Sequence, residues 1–273
     1  IMRIIYLDNA ATTNVRPEVI EEMIPYFTEK YGNPSTLYAL GREAKKAVEE
    51  ARAKVAAAIN ARPEEIYFTG SGTEADNWAV KGAAYANLKK GKHIITSEIE
   101  HHAVLNTCKY LEEEGFEVTY IPVDEDGIVR IDKLRSAIRP DTSLITVMTA
   151  NNEIGTIQPI SEIAPIAAEK GITFHTDAVP AIGAIKIDVQ ELNVSMLSMS
   201  AHKLHGPKGV GALYIRRGTR ITSFIQGGTQ ETKKRAGTEN VPAIAGFGAA
   251  AEISYKNLPE RLDSMAIVKA HLL

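Results

Sequence analysis

The 273-residue chain contains a single cysteine, Cys108. One cysteine excludes an internal disulfide framework and any cysteine-cluster metal site, and no bound metal is expected. Long apolar runs are missing as well, since none approaches the roughly 20 residues that cross a bilayer. The opening stretch from Ile1 to Asp8 is too short and wrongly flanked for a signal peptide. A cytoplasmic protein with no membrane partner is therefore expected. Nor is one charge in excess. Lys and Arg number 31 against 34 Asp and Glu, a formal net charge of -3, and no block of like charges marks a nucleic-acid surface. Repeats and low-complexity segments are also absent. These absences leave small-molecule chemistry as the expectation.

The chain has ample material for a core: 44% of its residues are apolar. That length and composition suit one large α/β domain, or one domain plus part of a second. Short β-branched runs alternate with helical patterns. The runs are "HIITS" (93–97), "FEVTYIPV" (116–123), "SLITVMTA" (143–150), "GITFHTDAV" (171–179) and "VSMLSMS" (194–200). Between them lie "HAVLNTCKYLEEEG", "IDKLRSAI" and "ISEIAPIAAEKG", with apolar residues three and four apart. This alternation predicts an α/β fold, a mostly parallel central sheet with helices on both faces. Further helices are expected over 41–60, after the glycine-rich turn at 70–72, and on both sides of Pro259. The last pattern stops without a capping glycine, as if the chain ended inside an element.

Ligands of such sheets sit beyond the carboxyl ends of the strands, and five candidates fall there: His101, Asn151, Asn152, Asp177 and Lys203. In "TGSGTEADN", Gly72 and Thr73 stand where a strand gives way to a helix. Free N–H groups at a helix start beside a Ser or Thr hydroxyl form a phosphate cradle; the same residues also suit a plain helix cap. The spacing is neither that of a P-loop nor that of a dinucleotide fingerprint. Asp177 would be costly to bury without a cationic partner such as a protonated ring nitrogen, or it is a helix N-cap. His101 could lay its ring on a planar cofactor, or be a hydrogen-bonded structural histidine. His101 and His102, adjacent in sequence, point apart and make a poor metal site.

Lys203 follows Ser200 and His202 and precedes a Gly/Pro-rich run. It is either a solvated surface cation or an amine that forms an imine, which requires a neutral, partly buried nitrogen. A phosphate cradle, a strand-end carboxylate, a stacking ring and an imine lysine together match pyridoxal 5'-phosphate (PLP). Cys108 sits on the apolar face of a helical pattern and reads as a small buried hydrophobe with no catalytic role.

The sequence resembles the cysteine desulfurases of the fold-type I, class V aminotransferase-like PLP enzymes, in particular the group that serves iron-sulfur cluster assembly. The matching runs include "YLDNAATT" (6–13), "IYFTGSGTEADNWAVKG" (66–82), "NNEIGTIQPI" (151–160), "SMSAHKLHGPKGVGALYIR" (198–216) and "GGTQETKKRAGTENVPAIAGFG" (227–248). The resemblance implies a PLP-binding large domain over 16–250, a preceding segment 1–15, and over 251–273 the start of an interdomain helix and a truncated C-terminal domain. It implies that Lys203 binds PLP as an imine and moves protons at the substrate Cα. Gly72, Thr73, Ser200 and His202 would surround the phosphate, His101 would stack on the ring, Asp177 would pair with its nitrogen, and Asn152 would lie near the ring oxygen. Thr238 would reach a partner's phosphate across a homodimer interface. L-cysteine is the implied substrate and a sulfur acceptor or iron-sulfur scaffold the implied protein partner. Alternatives are a related aminotransferase of the same fold, a selenocysteine lyase, and a catalytically silent scaffold fragment. Two departures stand out. Pro180 replaces a glutamine that normally donates to the ring oxygen, and the family's nucleophilic loop cysteine and carboxylate-binding arginine belong to a C-terminal region absent from these residues.

Overall fold

The computed structural model describes residues 5–272; residues 1–4, which open the 1–15 segment and the Ile1 to Asp8 stretch, and Leu273 lie outside the described residues. Seven short strands form one sheet: β1 (Ile66–Thr69), β2 (His93–Ser97), β3 (Glu117–Ile121), β4 (Thr142–Thr146), β5 (Thr173–Asp177), β6 (Met196–Ser200) and β7 (Gly211–Ile215). Their order is β1-β7-β6-β5-β4-β2-β3. Pairings among β6, β5, β4, β2 and β3 are parallel, and β7 runs antiparallel to both of its neighbours.

Both faces of the sheet are covered. β1, β2, β4, β6 and β7 are buried at every position, and only edge strand β3 shows polar exposure. Such strands read as continuous apolar runs rather than alternating ones. Alternation still sets direction: Phe174, Leu197 and Met199 enter the core under helices Ala39–Ala58, Ile160–Glu169 and Val241–Lys256. Met196 joins the opposite core with Trp78, Val104 and Cys108, under helices Gly72–Ala86 and His102–Glu113. His175, Asp177 and Ser198 therefore turn toward helix Gly72–Ala86.

Close helix packing anchors the first of these layers. A Cβ on Gly248 would stand 2.6 Å from the Cα of Ala51, so helices Val241–Lys256 and Ala39–Ala58 meet backbone to backbone. Past them, the helical pattern around Pro259 resolves into two helices, Val241–Lys256 and Leu258–Leu272, separated at Asn257. No helix among the described residues is long and apolar enough to cross a membrane.

The chain before the first helix lies along the 202–205 turn. Thr13 N–H and Oγ1 both donate to the His202 carbonyl, Thr13 Oγ1 accepts the His205 N–H, and Arg16 N–H donates to the His205 carbonyl. This strap and the ends of β4, β5 and β6 enclose the space in front of Gly72.

Candidate active site

A cavity of about 650 Å³ opens at the carboxyl ends of the parallel strands, floored by the start of helix Gly72–Ala86. Among the residues lining it are Gly72, Thr73, His101, Asn152, Asp177, Ser200, His202 and Lys203. Eight of the nine residues to which the resemblance gives a site role thus meet in one place. Thr238 does not. It is exposed and lines a separate 230 Å³ hollow with Arg235 and Glu231.

The helix start is built to receive an anion. Ser71 caps it, its hydroxyl accepting the Glu74 N–H at 3.1 Å, and Glu74 in turn accepts the Gly70 N–H at 2.8 Å. The N–H groups of Gly72 and Thr73 have no acceptor among the described residues and lie at the cavity wall. Two free N–H groups at the positive end of a 15-residue helix form an anion site. Glycine is required at 72, where a Cβ would meet Val179 Cγ2 at 2.6 Å and Ser200 Cβ at 3.3 Å.

Lys203 ends a short 3-10 turn that follows β6. Its ammonium donates to the carbonyls of Ala10 and Ala11, the latter at 3.0 Å, so the N-terminal strap fixes where it points. Partial burial lowers its pKa, and the charge of Asp177 opposes that shift. A lowered pKa makes the neutral amine more accessible than in a surface lysine. Asp177 is fully buried at the end of β5 and accepts the Val179 N–H at 2.8 Å. Burial pushes its pKa up to about 6, against the pull of that N–H and of Lys203.

His101 caps helix His102–Glu113, its Nδ1 accepting the Ala103 N–H at 3.1 Å, which leaves the proton on Nε2. The ring caps a helix and also lines the cavity. Its ring centroid is 6.1 Å from that of His102 at 83°, so the pair does not converge on a point. Asn151 holds the turn after β4, accepting the N–H groups of Glu153 and Ile154, while Asn152 faces the cavity. Pro180 also lines it and supplies only hydrocarbon. Cys108 is fully buried, and burial pushes its thiol up to about 12, which makes it unreactive.

Sequence reasoning missed two buried carboxyls under this cavity. Asp76 on helix Gly72–Ala86 lines the floor, and Glu100 follows β2, accepting the Ser97 hydroxyl and the Met148 N–H. Burial pushes Glu100 up to about 8. A charged residue ordinarily signals the solvent side, so the sequence held no cue to their burial.

This cluster makes stability fall with rising pH. Folded Glu100 keeps its proton to about pH 8, whereas an unfolded glutamate loses it near about 4.3. Between those values the folded state binds more protons, and stability drops as pH rises. Buried His175, lowered to about 3, acts in the opposite sense up to about 6.5, its unfolded value. Above that the histidine contribution fades while the carboxyl contribution persists. Urea unfolding of the PLP-free protein is expected to show stability falling between pH 6.5 and 8, by at most about 1.4 kcal/mol per pH unit for each proton involved. Flat or rising stability over that window contradicts the buried-carboxyl account.

Comparison with known proteins agrees with this geometry. The aminotransferase class-V family model matches residues 5–265. The chain belongs to that family, and within it to the cysteine desulfurases. It is 60% identical over 269 residues to the cysteine desulfurase IscS of Methanosarcina thermophila and 55% identical to that of Clostridium botulinum; each match covers 98% of this chain, and 67% and 68% of the respective relatives. A solved NifS-like protein superposes with a TM-score of 0.96 at 46% identity, covering 99% of this chain and 74% of that one. Another, SspA in complex with cysteine, gives 0.88 at 44% identity, over 90% and 72%.

Proposed function

We propose that this chain carries the PLP-binding half of a cysteine desulfurase, which converts L-cysteine to L-alanine and passes the sulfur to a thiol as a persulfide. The observation that carries this reading is the convergence of Lys203, Asp177 and the free N–H groups of Gly72 and Thr73 on one cavity. These residues fit PLP: an anion cradle for its phosphate, a buried carboxylate for its ring nitrogen, and an amine of lowered pKa for its aldehyde. When bound, PLP supplies an electron sink for the carbanion that forms at the substrate Cα.

Each residue then has a definite task. Gly72 and Thr73, with Ser200 and His202, bind the phosphate. Asp177 keeps its charge against the ring nitrogen, which disfavours loss of the ring proton. His101 would cover one face of the ring and Asn152 would serve the ring oxygen. Pro180 offers that oxygen no hydrogen bond. Lys203 takes the proton from the substrate Cα and returns one, the general acid-base part of the reaction. Cys108 is the chain's one cysteine and is buried, so the thiol that accepts sulfur must come from outside these 273 residues. In the desulfurase reaction as a whole, the sulfur serves iron-sulfur cluster assembly through an acceptor or scaffold protein.

A homodimer completes the phosphate site in this reading, with Thr238 of each copy serving its neighbour. Two features support it. Thr238 lies outside its own chain's cavity, and Tyr31, which lines a shallow hollow with it, is 66% exposed. Exposed aromatic surface beside a functional loop is typical of a protein interface.

Two assays test the proposal. With PLP and L-alanine in heavy water, proton NMR is expected to show deuterium entering at Cα. With L-cysteine and an added dithiol, alanine and sulfide are expected to appear in equal amounts. Neither product forming in folded, PLP-loaded protein overturns the reading.

A further inference from the structure

The cavity floor holds more acid than the proposed reaction uses. Asp76 sits with its side chain 2% exposed, and its Oδ1 has no hydrogen-bond partner among the described residues. The one nitrogen base or cation within 4 Å of it, again among the described residues, is His175 Nε2, at 3.7 Å. That nitrogen already pairs with Ser198 Oγ at 2.9 Å, and Nδ1 of the same ring pairs with Thr146 Oγ1 at 2.8 Å. Asp177 projects from β5 two residues beyond His175, hence on the same face, and lines the same cavity as Asp76.

Asp76 and Asp177 line this cavity and Glu100 is buried within electrostatic reach of Asp76; the three do not have equal support as anions. Asp177 receives a backbone N–H and faces Lys203. Glu100 receives a hydroxyl and a backbone N–H. Asp76 receives no N–H. It is the fifth residue of its helix, past the first turn where the helix dipole favours an anion. Buried carboxylates that line one cavity disfavour each other's ionisation, and the less supported one keeps its proton. Burial raises Asp76 first and the charge of Asp177 next, with the Ser198 hydroxyl opposing; Glu100, itself protonated at neutral pH, adds no charge there. His175, buried and neutral, adds no compensating charge.

We propose that Asp76 is a positioning residue of the cofactor site: a proton-bearing acid on the cavity floor that would leave Asp177 as the single anion presented to the ring nitrogen. This rests on the PLP reading for the word ring, but the protonation of Asp76 belongs to the protein alone. The His175 and Ser198 pair, whose Nε2 lies 3.7 Å from Asp76 Oδ1, ties β5, the strand that carries Asp177, to β6.

The test begins on PLP-free protein labelled with 13C-aspartate, so that Glu100 does not contribute. The infrared difference spectrum of wild type minus Asp76→Asn at neutral pH is expected to contain one protonated-carboxyl band. Loss of a carboxylate band instead overturns the proposal. Asp76→Asn replaces a neutral acid by a neutral amide, so its PLP dissociation constant at neutral pH is expected within about twofold of wild type. At alkaline pH, wild type is expected to lose affinity more steeply than the variant. A loss of about tenfold at neutral pH, or identical alkaline behaviour, contradicts it. Should the amide variant not fold, Asp177→Asn serves: with its neighbouring anion removed, Asp76 is expected to lose its proton at lower pH, and an unchanged midpoint counts against the proposal. Failure of PLP to attach at Lys203 would sink the functional reading whatever the infrared result, so the two failures are separable.

Discussion

Replacing Lys203 by alanine is expected to abolish deuterium exchange at the Cα of L-alanine while leaving PLP bound. The side chain has two tasks, and the variant loses both. As the base at Cα its removal alone costs roughly 10²–10⁴-fold in rate, and the covalent hold on PLP goes with it. The phosphate cradle at Gly72 and Thr73 does not depend on Lys203, so the variant should still bind PLP reversibly. The Lys203→Arg variant separates charge from chemistry. It keeps a cation beside Asp177, but a guanidinium stays protonated and neither forms an imine nor accepts the Cα proton. Both variants are expected to be inactive. Exchange by Lys203→Arg at a tenth of the wild-type rate or better would show that another group moves the proton.

Removing one side of the buried pair between Arg52 and Glu231 is expected to have the largest effect on stability. Arg52 Nη1 and Nη2 grip the Glu231 carboxylate at 2.8 and 2.9 Å, and Nη1 also donates to the Ile66 carbonyl at 2.7 Å. Glu231 accepts the Phe68 N–H at 2.9 Å as well. The pair thus ties helix Ala39–Ala58 to β1 and to the segment leading to Thr238. That segment is conformationally costly, because Glu231, Thr232 and Lys233 all adopt positive φ, at 43°, 53° and 66°. Non-glycine residues there pay about 1–2 kcal/mol each, and the buried pair is what holds them. Arg52→Ala leaves a buried, uncompensated carboxylate, and the expected loss is about 3–5 kcal/mol, read as a lower urea midpoint. A loss below about 1 kcal/mol would mean that the pair behaves like a surface contact.

A second ion pair ties the same segment to the site. Arg235 Nε and Nη2 hold Glu74 at 2.7 and 3.2 Å, and Glu74 lies in the first turn of the helix that forms the phosphate cradle. The cradle and the Thr238 loop are therefore braced against each other within one chain.

The sheet was legible where burial acts on every residue of a run. "HIITS" matches β2 at both ends, and "VSMLSMS" overshoots β6 by only two residues. The longer runs 116–123, 143–150 and 171–179 overshoot because apolar side chains continue into the loops after the strands, where ladder pairing has already ended; of these residues Val179 reaches the cavity. β7, "GALYI", was hidden inside a stretch read for its glycines. Site residues at strand ends were legible because topology puts ligands there. The strap role of Ala10 and Ala11 was not, since backbone carbonyls carry no side-chain signature. Asp76 and Glu100 stayed hidden because charge in a sequence signals exposure unless a partner is known. The Arg52 and Glu231 pair spans 179 positions, and nothing local in "GTQETKKR" announces three left-handed residues.

The central claim is that the cavity binds PLP through Lys203. The most direct measurement is borohydride reduction of the PLP-loaded protein, followed by peptide mapping of the modified lysine, with the visible spectrum recorded before and after. The account predicts one modified site, Lys203, and loss of the visible band on reduction. A folded protein that takes up no PLP in excess cofactor, or an adduct at another lysine with Lys203 unmodified, would contradict it.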